Sequence, residues 1–97
     1  MRLLVEFDVD ADIIDVPQSV IDNREILRRR FLKWLYDRGT KHKYWTKAGD
    51  TMGVVFRSDA FVEWLNKKEL KYSDEKAVVL QQYVSAENEE KLPSVFF

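Results

Sequence analysis

Leu3, Val5, Phe7 and Val9 alternate with Leu4, Glu6 and Asp8, the period-two pattern of a strand with one face buried. An acidic stretch follows, and residues 10–22 read as a connection in which Ile13-Ile14-Asp15-Val16 is either a short extended piece or a segment pinning the loop to the core, and Pro17 stops any hydrogen-bond ladder. The period then changes. Ile26, Leu27, Phe31, Trp34 and Leu35 fall on one side of a helical wheel, and Arg29, Arg30 and Lys33 fall on the other. Asp22 or Asn23 suits the N-cap and Gly39 suits the position past the end, so the spacing predicts an amphipathic helix over 23–38.

Lys41 to Thr46 and Met52 to Arg57, separated by the turn residues Ala48-Gly49-Asp50, predict a hairpin. Ser58 is placed to cap a second helix that carries Asp59 in its first turn and Phe61, Val62, Trp64 and Leu65 on its apolar side, ending near Lys68. Lys76 to Val84 reads as a last strand. Ser85 to Lys91 is acidic with room for a helical turn or two, and Pro93 precedes an apolar Val95-Phe96-Phe97. The order is βαββαβ. That predicts a ferredoxin-like α+β fold, a four-stranded antiparallel sheet with two helices on one face. The 97 residues suit one domain, 1–97, with 85–97 as an acidic and apolar tail.

The absence of cysteine excludes disulfides, thiolate ligands and cysteine nucleophiles. No apolar window approaches the ~18 residues of a membrane span, and no leader pattern opens the chain, so the expected location is cytoplasmic.

Charge adds more than its total of −1 suggests. Residues 1–23 hold six acids against Arg2 alone, a net of −5; residues 24–57 hold ten bases against three acids, a net of +7; residues 58–97 return to −3. A single-sign region attracts phosphate or an acidic partner. Within it, Arg28, Arg29, Arg30 and Lys33 are followed by Lys41, Lys43, Tyr44, Trp45 and Lys47, cations interleaved with flat rings on which unpaired bases stack. These nine residues are the candidate binding surface. A pI near 5.8 argues the other way, since nucleic-acid domains are usually strongly basic. On a ferredoxin-like sheet RNA is read by aromatics of the central strands, and Met52-Gly53-Val54-Val55-Phe56-Arg57 lacks that pattern.

Val5-Glu6-Phe7-Asp8 ends the first strand in an aromatic-Asp pair ahead of an Arg-rich helix. This resembles the opening of the small ferredoxin-like nucleases that accompany CRISPR spacer acquisition, and the resemblance implies a metal-binding role for Asp8. It covers residues 1–38 and breaks at Ile13-Ile14-Asp15-Val16-Pro17, where those proteins have a short polar loop. Asp8, Asp10 and Asp12 lack EF-hand spacing, so no metal or cofactor is expected. His42, the one histidine, stands between two lysines, no serine sits in a nucleophile elbow, and the three glycines are scattered. Catalysis is not expected.

Val95, Phe96 and Phe97 would be adhesive if left in water, so they pack on the body, form an added edge strand or meet a partner in an interface, and Glu87, Glu89 and Glu90 offer acids that could fold toward the basic helix. The sequence thus predicts a non-enzymatic accessory or regulatory protein acting through a protein partner or self-association as a dimer. Nucleic-acid binding through the basic and aromatic residues is the alternative, and metal-dependent hydrolysis at Asp8 a third.

Overall fold

The computed structural model describes residues 1–89 and 91–97. The elements are β1 (Arg2–Glu6), β2 (Ala11–Asp15), α1 (Gln18–Asp22), α2 (Arg24–Leu35), β3 (Trp45–Ala48), β4 (Thr51–Val54), α3 (Ser58–Lys67), β5 (Val78–Val84), a 3₁₀ turn (Ala86–Glu89) and β6 (Ser94–Phe96). The α+β class holds and the ferredoxin-like βαββαβ arrangement does not. Six strands form two sheets, one of four strands in the order β5-β2-β1-β6 and one of two, β3-β4.

Three departures produce this. First, the expected connection 10–22 contains a strand and a short helix. β2 pairs with β1 in an antiparallel hairpin closed by the Phe7 N–H bond to the Asp10 carbonyl, 2.8 Å. It is a central strand buried on both faces, with Ile14 toward one core cluster and Ala11 and Ile13 toward the other, so its apolar positions run on without alternation. Pro17 acts as the N-cap of α1 and follows the strand without interrupting it.

Second, the hairpin 45–54 never joins the main sheet. Gly49, in the left-handed region at φ 63°, supplies its turn, and the Trp45↔Val54 and Lys47↔Met52 pairs share one of its faces. Third, the apolar tail is β6, an edge strand running parallel to β1 with Leu4 opposite Ser94 and Glu6 opposite Phe96.

Helix α2 follows the predicted wheel, burying Leu27, Phe31 and Leu35, but ends at Leu35, with Tyr36 as its cap. Asn23 does not cap it with its side chain, whose amide donates back to the Ser19 carbonyl at 2.8 Å. Ile26, assigned to the buried side, is 47% exposed. Helices α2 and α3 cover one face of the main sheet. Phe31 is the centre of that core, with the rings of Phe61, Trp64, Phe56 and Phe97 packed edge-on within 5.2–5.8 Å. The smaller cluster under the other face joins Leu4, Ala11 and Ile13 to Val84, Ala86 and Leu92. Among the described residues no helix is long and apolar enough to cross a membrane.

Candidate functional site

The two edges of the main sheet are finished differently. In β6 the odd residues face β1: Leu4 donates to the Pro93 carbonyl and Phe97 donates to the Glu6 carbonyl, both at 2.9 Å. The carbonyls of Ser94 and Phe96 therefore point out of the edge, and each receives an arginine from α2. Arg24 Nε donates to Ser94 O at 2.9 Å, and Arg28 Nε donates to Phe96 O. The match is geometric, since four residues of helix rise about 6.0 Å and two residues of strand about 6.6 Å. Two arginines one turn apart thus blunt the acceptors of a strand that would otherwise recruit another chain. The Arg28 guanidinium also sits 6.0 Å from the Phe97 ring centre.

The opposite edge, β5, has no such cover among the described residues. Its sequence, Val78-Val79-Leu80-Gln81-Gln82-Tyr83-Val84, carries no charge and no proline, and among the described residues it pairs only with β2. Val78, Leu80 and Tyr83 are 52%, 50% and 67% exposed.

What aims this strand is a buried polar cluster. Asp12, fully buried in β2, accepts from four donors: Arg57 Nη2 at 2.5 Å and the Tyr83 N–H at 3.1 Å on Oδ1, the Ser58 hydroxyl at 2.5 Å and the Ser58 N–H at 3.2 Å on Oδ2. A carboxylate from a distant strand thereby caps α3, whose N-terminal dipole favours the negative charge. The local cap expected of Ser58 is absent: Ser58 is the first residue inside the helix, and its hydroxyl points at Asp12. Burial pushes the Asp12 carboxyl upward, but the bonds from Arg57, Ser58 and Tyr83 outweigh it and hold the group below its ordinary 3.8.

Arg57 also donates to Asp10 at 2.9 Å, and its guanidinium lies 4.1 Å from the Tyr83 ring centre and 4.8 Å from that of Phe7. Bonding to Asp12, set against some desolvation, raises its pKa further above an already high value. Tyr83 has φ 59°, a left-handed conformation that a bulky residue adopts only under constraint, and its N–H bond to Asp12 and its contact with Arg57 supply one. β5 reaches this point through register shifts opposite Ala11, Ile13 and Ile14. Beside it an open groove of about 350 Å³ runs between Gln82 and Tyr83 on one side and Tyr44, Val55 and Asp59 on the other.

Both Asp12 oxygens are engaged by the four donors, and Asp10 shares Arg57 through Oδ1. Asp8 lies exposed in the β1–β2 turn. The described residues contain no group of three or more His, Asp or Glu spaced to hold a metal ion.

The basic and aromatic candidates are divided. Arg28 serves β6. Arg30 pairs with Glu69 at 3.0 Å, and Lys43 pairs with Glu63 at 3.5 Å. Arg29 and Lys33 are exposed on α2, and Lys41 and Lys47 are exposed beside the hairpin. Tyr44 is buried, and its hydroxyl donates to Glu63. Lys67, 2.7 Å away, and Tyr44 together lower Glu63 to about 2, while burial and the Glu63 charge push the Tyr44 phenol up. Trp45 is half-buried against His42. That histidine is far from idle: its Nε2 is 2.7 Å from the Leu35 carbonyl at the end of α2, and its Nδ1 accepts the Tyr44 N–H at 3.1 Å. Val95 and Phe97 pack in the core and Phe96 is exposed. Glu87 and Glu89 form no ion pair with α2 among the described residues, and Glu90 lies outside them.

The sequence weighed Asp10 and Asp12 as metal ligands and Ser58 as a local cap, but did not join them to Arg57 and Tyr83 in one cluster. One signal was available: Asp12 interrupts Ala11-x-Ile13-Ile14, where a charge inside an apolar run must be either a loop or a paired buried group. Comparison with protein-family models, with curated proteins and with solved structures finds no match to this chain.

Proposed function

We propose that this chain is a small, non-catalytic accessory protein of the cytoplasm that acts by protein–protein association, docking through the open edge of β5. The observation that carries the reading is the contrast between the two edges: β6 is short and its outward carbonyls are occupied by Arg24 and Arg28, while β5 is longer, uncharged and open. Strand addition supplies main-chain hydrogen bonds, and exposed side chains supply the selectivity.

The occupant we assign is a second copy of the chain. The left-handed Tyr83 ends regular extension after Gln82, leaving Val78–Gln82 for pairing. Antiparallel self-pairing centred on Leu80 sets Leu80 against Leu80 of the other copy and Val78 against Gln82, so no like charges meet. Two four-stranded sheets would become one of eight.

Sedimentation equilibrium tests this. The wild type should pass from monomer to dimer with rising concentration, and Leu80→Lys, which opposes two cations across the dyad, should stay monomeric with an unchanged circular dichroism spectrum. A wild type that remains monomeric at millimolar concentration overturns the assignment.

A further inference from the structure

A second surface, independent of β5, has the makings of a ligand site. Three rings follow one another beside the end of α2: Trp34 and His42 are 4.8 Å apart, and His42 and Trp45 are 5.2 Å apart with their planes only 5° from parallel. The orientation of Trp45 is fixed by its Nε1–H, which donates to the Thr40 carbonyl at 2.9 Å, and by His42 against one side of its ring. A groove of about 250 Å³ opens on Trp45, lined also by Arg38, Thr40, Lys41 and Met52.

The groove is apolar at its floor and positive at its rim. Arg38 and Lys41 are both exposed, and Lys47 lies on the same hairpin face as Trp45 and Met52. None of these three cations forms an ion pair among the described residues, in contrast to Arg30, Lys43, Arg57 and Lys67, and no carboxylate lines the groove.

We infer that this groove takes one unpaired nucleotide of a single-stranded nucleic acid, its base continuing the stack on Trp45 and its phosphate held by Arg38 and Lys41. A flat, rigid ring with its polar edge already satisfied offers any base a surface at little cost in ordering, and adjacent cations supply the salt-dependent phosphate contact. Because stacking does not read base edges, the site tolerates all sequences. The small footprint and the acidic remainder of the chain limit it to weak binding, in the micromolar range or above at low salt.

Labelled twelve-nucleotide DNA and RNA single strands, a duplex of the same length and a nucleoside monophosphate are titrated into the full chain at several salt concentrations, with anisotropy as the readout for the strands and tryptophan quenching for the monophosphate. Single strands should bind more tightly than duplex. Trp45→Ala should weaken them by at least about fivefold, since a stacked base is worth at least about 1 kcal/mol. Arg38→Ala combined with Lys41→Ala, two exposed positions that leave the fold intact, should reduce the slope of log affinity against log salt by about 1.4, or 0.7 for each cation lost on a single strand.

Absence of single-strand binding at low salt, or equal binding of duplex, overturns the inference. So does binding whose salt slope survives the double variant. Monophosphate binding as tight as strand binding overturns the assignment to strands. Because Leu80→Lys leaves this groove untouched, failure here is separable from failure of the β5 dimer.

Discussion

Asp12→Asn keeps the size of the side chain and removes its charge, which makes it a direct probe of the cluster that ties β2, α3 and β5 together. Four donors converge on the two carboxylate oxygens. An amide has one acceptor oxygen. If it faces Arg57 and the Tyr83 N–H, its NH₂ faces Ser58, whose hydroxyl can turn to accept but whose N–H is left without a partner inside the protein. A buried orphan donor costs about 1–3 kcal/mol, and Arg57, left with Asp10 as its one anion, brings the total toward the 3–5 kcal/mol typical of breaking a buried pair. Against a usual stability of about 5–15 kcal/mol this is a large fraction. Urea unfolding followed by far-ultraviolet circular dichroism should show it as a lower midpoint with an unchanged slope.

The pH dependence gives a second readout with a definite sign. The Asp12 pKa is lowered on folding, so its ionised form contributes stability that is complete above its ordinary value of 3.8 and is lost as pH falls through the folded value. Wild type and variant should differ most near neutrality and converge below about pH 3.8. A variant within about 1 kcal/mol of wild type at pH 7, or a gap that persists unchanged into acid, would refute the assignment of the cluster as the joint of the fold.

Three further outcomes are expected. Tyr44→Phe removes one of the two hydrogen bonds that depress Glu63, so carboxyl carbon NMR should find the Glu63 pKa moved up from about 2 toward 4.5 and urea unfolding a loss of about 1 kcal/mol. For Glu63, as for any carboxylate with a lowered pKa, the associated stability is complete above 4.5 and disappears as pH falls toward about 2. Arg24→Ala combined with Arg28→Ala uncovers the β6 carbonyls; hydrogen exchange of the Phe97 and Leu4 amides should accelerate, and a new salt-independent self-association should appear at that edge. His42→Ala removes both the Leu35 and Tyr44 links, and the near-ultraviolet signal of Trp34 and Trp45 should collapse while the helical far-ultraviolet signal persists, at a cost of about 1–3 kcal/mol.

Helices α2 and α3 were legible because each buries a single face, and a single buried face imposes a period; the hairpin was legible from its turn residues Ala48-Gly49-Asp50, although its strands pair over 45–54 and not over 41–57. β2 was not, because it is buried on both sides and contains a buried aspartate whose partners lie 45 and more residues away. The one local sign of it, a charge set inside Ala11-x-Ile13-Ile14, fits a loop as well as a paired buried acid, and only the fold tells the two apart. The tail was legible as sticky, with an added edge strand one of three outcomes for it; three residues, Ser94–Phe96, are too few to show alternation, and pairing with β1 decides among them. The basic surface failed in a related way. Arg24, Arg28, Arg30 and Lys43 look equivalent to Arg29 and Lys33 in sequence, and only the fold decides which of them meet a carbonyl or a carboxylate.

The parallel pairing of β1 with β6 also orders events in time. Leu4 meets Ser94 across 90 residues, whereas the β1–β2 hairpin closes Glu6 on Ala11 across five. Loop-closure entropy makes the long closure roughly 2.5 kcal/mol costlier than the short one, so β6 should zip on late, after the hairpin and the helices have gathered around Phe31. Until then the outer edge of β1 is bare, and it accepts the same segment from a neighbouring molecule as readily as its own. Refolding at high concentration should therefore yield strand-exchanged oligomers whose fraction falls on dilution, trapped by slow unfolding rather than by affinity.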